Sequence, residues 1–117
     1  MSEFPDIYSL LDEAEKQKLY QKLVVQLKKD LRSAQIYELP EDTVKPEALK
    51  TFLQQTVLHL INHNFATYLN LLYIVDVHES QIKQLDGADV GQLSEGVTFL
   101  ILKREWQKVW IRNNLSK

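Results

Sequence analysis

His59 and His63 stand four residues apart in a stretch that reads as helical, a spacing that puts two imidazoles on one face within reach of a single metal ion. The zincin pattern needs a glutamate directly after the first histidine, and Leu60 stands there, so metalloprotease chemistry lacks its base. Two ligands do not make a site, and His78 with Glu79 completes one only if the fold brings them across. The expectation is no metal, with His59, His63 and His78 as the candidates to follow. The plainer reading is a pair of boundary histidines with wetted ring tips.

Asp76, His78 and Glu79 also have the types of acid–base groups. Nucleophilic catalysis needs an oriented nucleophile, and Ser80 and Ser94 sit in no Gly-x-Ser-x-Gly turn. Asp76 and Glu79 have the spacing of a helix-capping box, which explains Asp76 as the start of a helix at Val77 without any catalysis. Asp86 and Asp89 are too ordinary a pair to suggest glycoside chemistry. Gly87, Gly91 and Gly96 lack the Lys-Ser/Thr ending of a phosphate loop and follow no strand. Neither a catalytic residue nor a cofactor is expected.

The last part of the chain mixes bases with tryptophans: Lys103, Arg104, Trp106, Lys108, Trp110 and Arg112. Bases beside aromatics suit a nucleic-acid surface. Arg104, Lys108 and Arg112, at steps of four, would form a basic ridge, and the stretch from Lys16 to Arg32 is also basic, with Asp30 its lone acid. Against this, the acidic blocks Glu38–Glu47 and Asp76–Glu95 can neutralise the basic ones on folding, and the net charge is only −2. Nucleic-acid binding by the basic faces of the first and last helices therefore ranks below a protein-binding role.

At 117 residues the chain has the length of one domain, 1–117, and can bury a core without staples. No cysteine is present, so thiolate chemistry and disulfides are excluded. Only three glycines and three prolines occur, too few for the turns of an all-β domain. Residues 2–15 carry acids and Pro5 rather than a signal-peptide core, and the longest apolar run, Leu71 to Val75, is far short of a membrane span. A cytoplasmic protein with no membrane partner is expected.

Periodicity points to an all-α compact bundle of four to five helices with no significant sheet. After an opening segment 1–8, Tyr20, Leu23, Val24, Leu27, Leu31 and Ala34 form one stripe of a long first helix over Ser9–Ala34, with a break near Asp12. A loop, Gln35–Lys45, holds the only candidate strand, 35–39. Pro46 suits the first position of a second helix, with Val44 and Leu49 as a staple around its start. That helix ends or bends at Asn62-His63-Asn64. The run from Phe65 to Val75 is apolar nearly all round and is expected to be the buried axis of the core. Gly87 is available for a left-handed helix end, and Asp89 or Ser94 for the cap of a last helix starting near Glu95. The expected core includes Leu23, Leu27, Leu53, Leu60, Leu69, Leu72, Phe99, Trp106 and Trp110.

The last helix carries two apolar stripes. Phe99, Leu102, Trp106, Val109 and Trp110 make one; Leu93, Val97, Leu100, Ile101 and Ile111 make the other, interrupted by Arg104 and Lys108. Such a helix is either central in a bundle or shared between the core and a partner. The partner reading predicts a homodimer with Val97, Leu100, Ile101, Arg104, Lys108 and Ile111 at the contact.

Two segments, Leu71-Leu72-Tyr73-Ile74-Val75-Asp76-Val77 and Leu102-Lys103-Arg104-Glu105-Trp106-Gln107-Lys108, resemble a group of small all-helical bacterial proteins of uncharacterised function. The resemblance implies an all-α, non-enzymatic chain and supplies no site residue. Together these readings predict an intracellular protein–protein interaction or scaffold module that self-associates and has no catalytic activity.

Overall fold

The computed structural model describes residues 4–115, so residues 1–3 of the opening segment and residues 116–117 lie outside the account. Asp6 starts α1 (Ile7–Lys16), its carboxylate accepting from the Ser9 N–H at 2.8 Å. After α2 (Tyr20–Ser33), Pro46 opens α3 (Pro46–His63) at the position where its missing N–H costs nothing. Asn64 closes α3 and caps α4 (Phe65–Val75), accepting from the Thr67 N–H at 3.2 Å. A short α5 (Glu79–Lys83) follows. Asp89 starts α6 (Val90–Leu115), receiving the N–H groups of Gly91 and Gln92 at 2.7 and 3.3 Å. The described residues are all-α, with no strand among them, so 35–39 is loop.

The predicted long first helix is two helices, and the break lies at Gln17–Leu19 rather than near Asp12. Lys18 takes a left-handed φ of 60°, and the Leu19 N–H folds back to the Ala14 carbonyl at 2.8 Å. The same ending closes α2, with Gln35 at φ 64° and Ile36 N–H to Leu31 O at 2.9 Å, and α4, with Asp76 at φ 74° and Val77 N–H to Leu72 O at 3.0 Å. In each case the next residue is apolar, and Leu19, Ile36 and Val77 all enter or pack against the core. The drive to bury that residue offsets the cost of a left-handed non-glycine residue. Asp76 is therefore the end of α4, not the first residue of a capping box, and α5 begins two residues after the predicted Val77, at Glu79. Gly87, expected in the left-handed region, has no positive φ.

The axis of the fold is α6, not α4. It touches α1, α2, α3 and α4, whereas α4 touches α2, α3 and α6. Its buried residues, Ser94, Val97, Thr98, Ile101, Leu102, Glu105, Trp106 and Val109, recur at steps of three and one. That stripe passes through polar positions. Thr98 Oγ1 donates to the Ser94 carbonyl at 2.7 Å and Ser94 Oγ to the Gly91 carbonyl at 2.8 Å, so both hydroxyls are satisfied inside their own helix. At Gly96 a Cβ would stand 3.0 Å from Leu85 Cδ2, and glycine lets the segment after α5 lie against the helix. Leu23, Leu27, Leu53, Leu60, Leu72 and Trp106 are buried as expected, and Phe99 and Trp110 pack against the core from its margin. Leu69 is not buried. No helix among the described residues is long and apolar enough to cross a membrane.

Candidate functional site

Two of the three histidines lie against each other. The rings of His59 and His63 lie 4.8 Å apart on an exposed part of α3, and His78 sits exposed before α5. Among the described residues no group of three potential ligands gathers to hold a metal ion. The pair has the geometry of neighbouring turns of one helix.

The expected interface residues of the last helix are drawn inward. Val97 and Ile101 are wholly covered by the chain itself, because α6 is surrounded by four helices, so neither is free to meet a partner. Leu100 is half-buried. Arg104 Nη2 donates to Asp76 Oδ2 at 3.0 Å, tying the end of α4 to α6, and its hydrogen bond and charge hold the Asp76 carboxyl below the usual aspartate range. Ile111 remains exposed near the C-terminal end.

Lys108 leads to a cluster that composition alone did not suggest. Its ammonium donates to Asp30 Oδ2 at 2.8 Å and to the Ile74 carbonyl at 3.4 Å, and lies 3.4 Å from Glu105 Oε1. Gln26 Nε2 donates to the other Asp30 oxygen at 3.2 Å. Asp30 is the lone acid of α2, and Glu105 the lone acid of the basic end of α6, and the fold brings these two together in the interior. Glu105 is wholly buried, with Asp30 and Lys108 beside its carboxyl. Burial first, and then the neighbouring Asp30, pushes its carboxyl up to about 9, with Lys108 opposing. Glu105 is thus protonated at neutral pH, while Lys108 serves Asp30 and anchors α2, α4 and α6 to one another. A signal existed in the sequence: Glu105 lies four residues after Ile101 and four before Val109, on the same buried stripe.

A groove of about 470 Å³ opens above this cluster between α2 and α6. Val25 and Val109 contribute its apolar part, Lys22, Lys29 and Arg112 its bases, and no acid lines it. Gln26 belongs to both groove and cluster; Asp30, Glu105 and Lys108 do not line the groove, so the titratable groups face the core rather than an incoming molecule.

The last candidate is a surface. On α4 the side chains of Phe65, Leu69 and Tyr73 fall at steps of four on one face and are 53%, 52% and 83% exposed. Ala66 and Asn70 are the other exposed residues of this helix, so its bare face carries no charge. Charge depletion with aromatic enrichment is the compositional mark of an interface centre. Sequence reading assigned this whole run to the interior because it is apolar all round.

No protein-family model, curated protein or solved structure matches the chain.

Proposed function

We propose that the chain is an intracellular helical interaction module that binds through its helix surfaces, including to itself, and does no catalysis. The observation that carries this reading is the bare, uncharged face of α4, where three large apolar side chains stand in water although the chain has a well-filled core. Large exposed apolar residues in a row are costly for solubility and are kept where a partner covers them. The exposed Ile111 near the end of α6 adds apolar surface of the same kind. Sedimentation equilibrium across micromolar concentrations tests the reading: the apparent mass rises with concentration if the module self-associates, and a constant monomer mass overturns self-association.

A second reading is favoured by the α2–α6 groove, where Lys22, Lys29 and Arg112 converge with no acid among the lining residues. It places a phosphate backbone along the basic helices, as the charge blocks suggested. Lys28, Arg104 and Lys108 are held by Asp42, Asp76 and Asp30, which reduces the charge available to a partner. Anisotropy of a labelled single-stranded oligonucleotide tests this: binding at low salt that falls steeply with added salt supports it, and no binding at low salt removes it.

A further inference from the structure

We infer that the groove between α2 and α6 is a binding site for a small amphipathic anion, an aliphatic chain carrying one carboxylate. The site is separate from the bare face of α4 and does not depend on self-association. On α2, Lys22, Val25, Gln26 and Lys29 follow at steps of three, one and three, and so share one face. The helix sends Leu23, Val24, Leu27 and Leu31 to the core, which leaves Val25 as its one exposed apolar residue, at 51%. Val109 of α6 lines the same groove, and the two valines give it an apolar part. The hollow, about 470 Å³, is of the size that takes a small organic molecule. Gln26 also lines it, and Asp30 fixes the Gln26 amide nitrogen at 3.2 Å, so this part of the wall is formed before any ligand arrives.

Charge and polarity together select the occupant. Lys22 and Lys29 stand on either side of Val25, roughly 10 Å apart along the axis. Arg112 adds a base from α6, and no acid is among the described residues that line the groove. Lys28 is taken by Asp42 and Lys108 by Asp30, whereas neither Lys22 nor Lys29 pairs with an acid among the described residues. An apolar centre flanked by bases complements a molecule that is apolar along its body and negative at one end. The body removes the valine side chains from water, and the head forms a charge-assisted hydrogen bond with a lysine. A phosphate backbone fits less well: none of the lining residues is aromatic, so nucleic-acid bases find no platform to stack on, and the backbone has no use for an apolar floor.

The test titrates the full chain, labelled for amide NMR, with three probes: octanoate below its micelle-forming concentration, octanol, and inorganic phosphate. Octanol keeps the chain without the charge, and phosphate keeps the charge without the chain. The expected result is saturable octanoate binding that shifts the amides around Val25 and Val109, at least about tenfold tighter than either other probe. Val25→Glu, which sets an acid at an exposed position in the apolar part, should weaken octanoate at least about tenfold, as should the double variant Lys22→Glu, Lys29→Glu. Leu69→Ser, outside the groove, should leave it unchanged. Octanol binding as tightly as octanoate would reduce the groove to an apolar hollow, and phosphate binding as tightly would reduce it to a basic patch; either overturns the proposal. So does octanoate binding that Val25→Glu does not weaken, or the absence of octanoate binding. A single-stranded oligonucleotide that displaces octanoate and shifts the same amides at physiological salt would assign the groove to a phosphate backbone instead. Should Val25→Glu lose its helicity by circular dichroism, the lysine pair and the octanol comparison decide.

Discussion

By sequence α4 is the more apolar helix and α6 the more mixed, yet the fold gives its centre to α6 and leaves one face of α4 in water. The difference is one of length and neighbours. α6 has 26 residues against 11 for α4, or roughly 39 Å against roughly 17 Å at the α-helical rise. The longest extent of the molecule is 40 Å, so α6 spans it end to end and four helices can lie against it. α4 has α2, α3 and α6 as neighbours, and the side of its circumference they do not reach stays in water. Apolar content states what a helix would gain from burial; the number of neighbours decides how much of that gain is realised. The cost appears on both sides, as an uncovered apolar stripe on α4 and a covered carboxyl on α6.

The sharpest way to break this contrast is to cut into α6. Trp106→Ala should lower the unfolding free energy by about 3–5 kcal/mol in denaturant titration, since the indole is fully buried. Lys108→Ala should cost about 3 kcal/mol by leaving Asp30 without its cation in the interior. A loss under about 1 kcal/mol in that variant would mean that water reaches the cluster.

Next in size is the pH response of the covered carboxyl. In the folded chain Glu105 holds its proton up to about 9, against an ordinary value of 4.5 in the unfolded chain. Between these values the folded state binds a proton that the unfolded state has released. The stabilisation is therefore complete below the unfolded value and is lost as pH rises towards the folded one. Stability should fall from mildly acid to alkaline solution, and Glu105→Gln, which cannot ionise, should flatten that slope and unfold at higher denaturant than the wild type at pH 8. If the two proteins keep parallel pH profiles, Glu105 is not the titrating group.

Smaller effects follow at the helix ends and on the bare face. Lys18→Gly should stabilise the chain by up to about 1 kcal/mol, because glycine removes the left-handed penalty at the end of α1. Leu69→Ser should change the stability of the dilute chain by no more than about 0.5 kcal/mol, far less than a core leucine would. A loss of several kcal/mol there would show that the α4 face is covered after all, and the contrast between the two helices would collapse.

Much of the fold was legible because its signals are local. Pro46 with Val44 and Leu49, Asn64 between two apolar runs, and the 3–4 spacing of Leu23, Leu27 and Leu31 each act over one or two turns. The helix endings at Lys18, Gln35 and Asp76 were harder, since the left-handed position held no glycine; the usable signal was the apolar residue immediately after, Leu19, Ile36 or Val77. The exposure of residues on α4 and α6 was less legible for a different reason. Val97 and Ile101 looked surplus, and Leu69 looked central, because a helical wheel shows which face is apolar but not how many neighbours stand around it.

The sequence by itself determined an all-α chain, the order of its helices and most of its core. These follow from propensity, capping and periodicity, which depend on residues a few positions apart. Only the tertiary structure decided that Asp30 and Glu105 meet, that Lys108 is held inside, and that Phe65, Leu69 and Tyr73 face solvent. Burial and pKa depend on what another helix brings from far along the chain, and no local pattern contains that information.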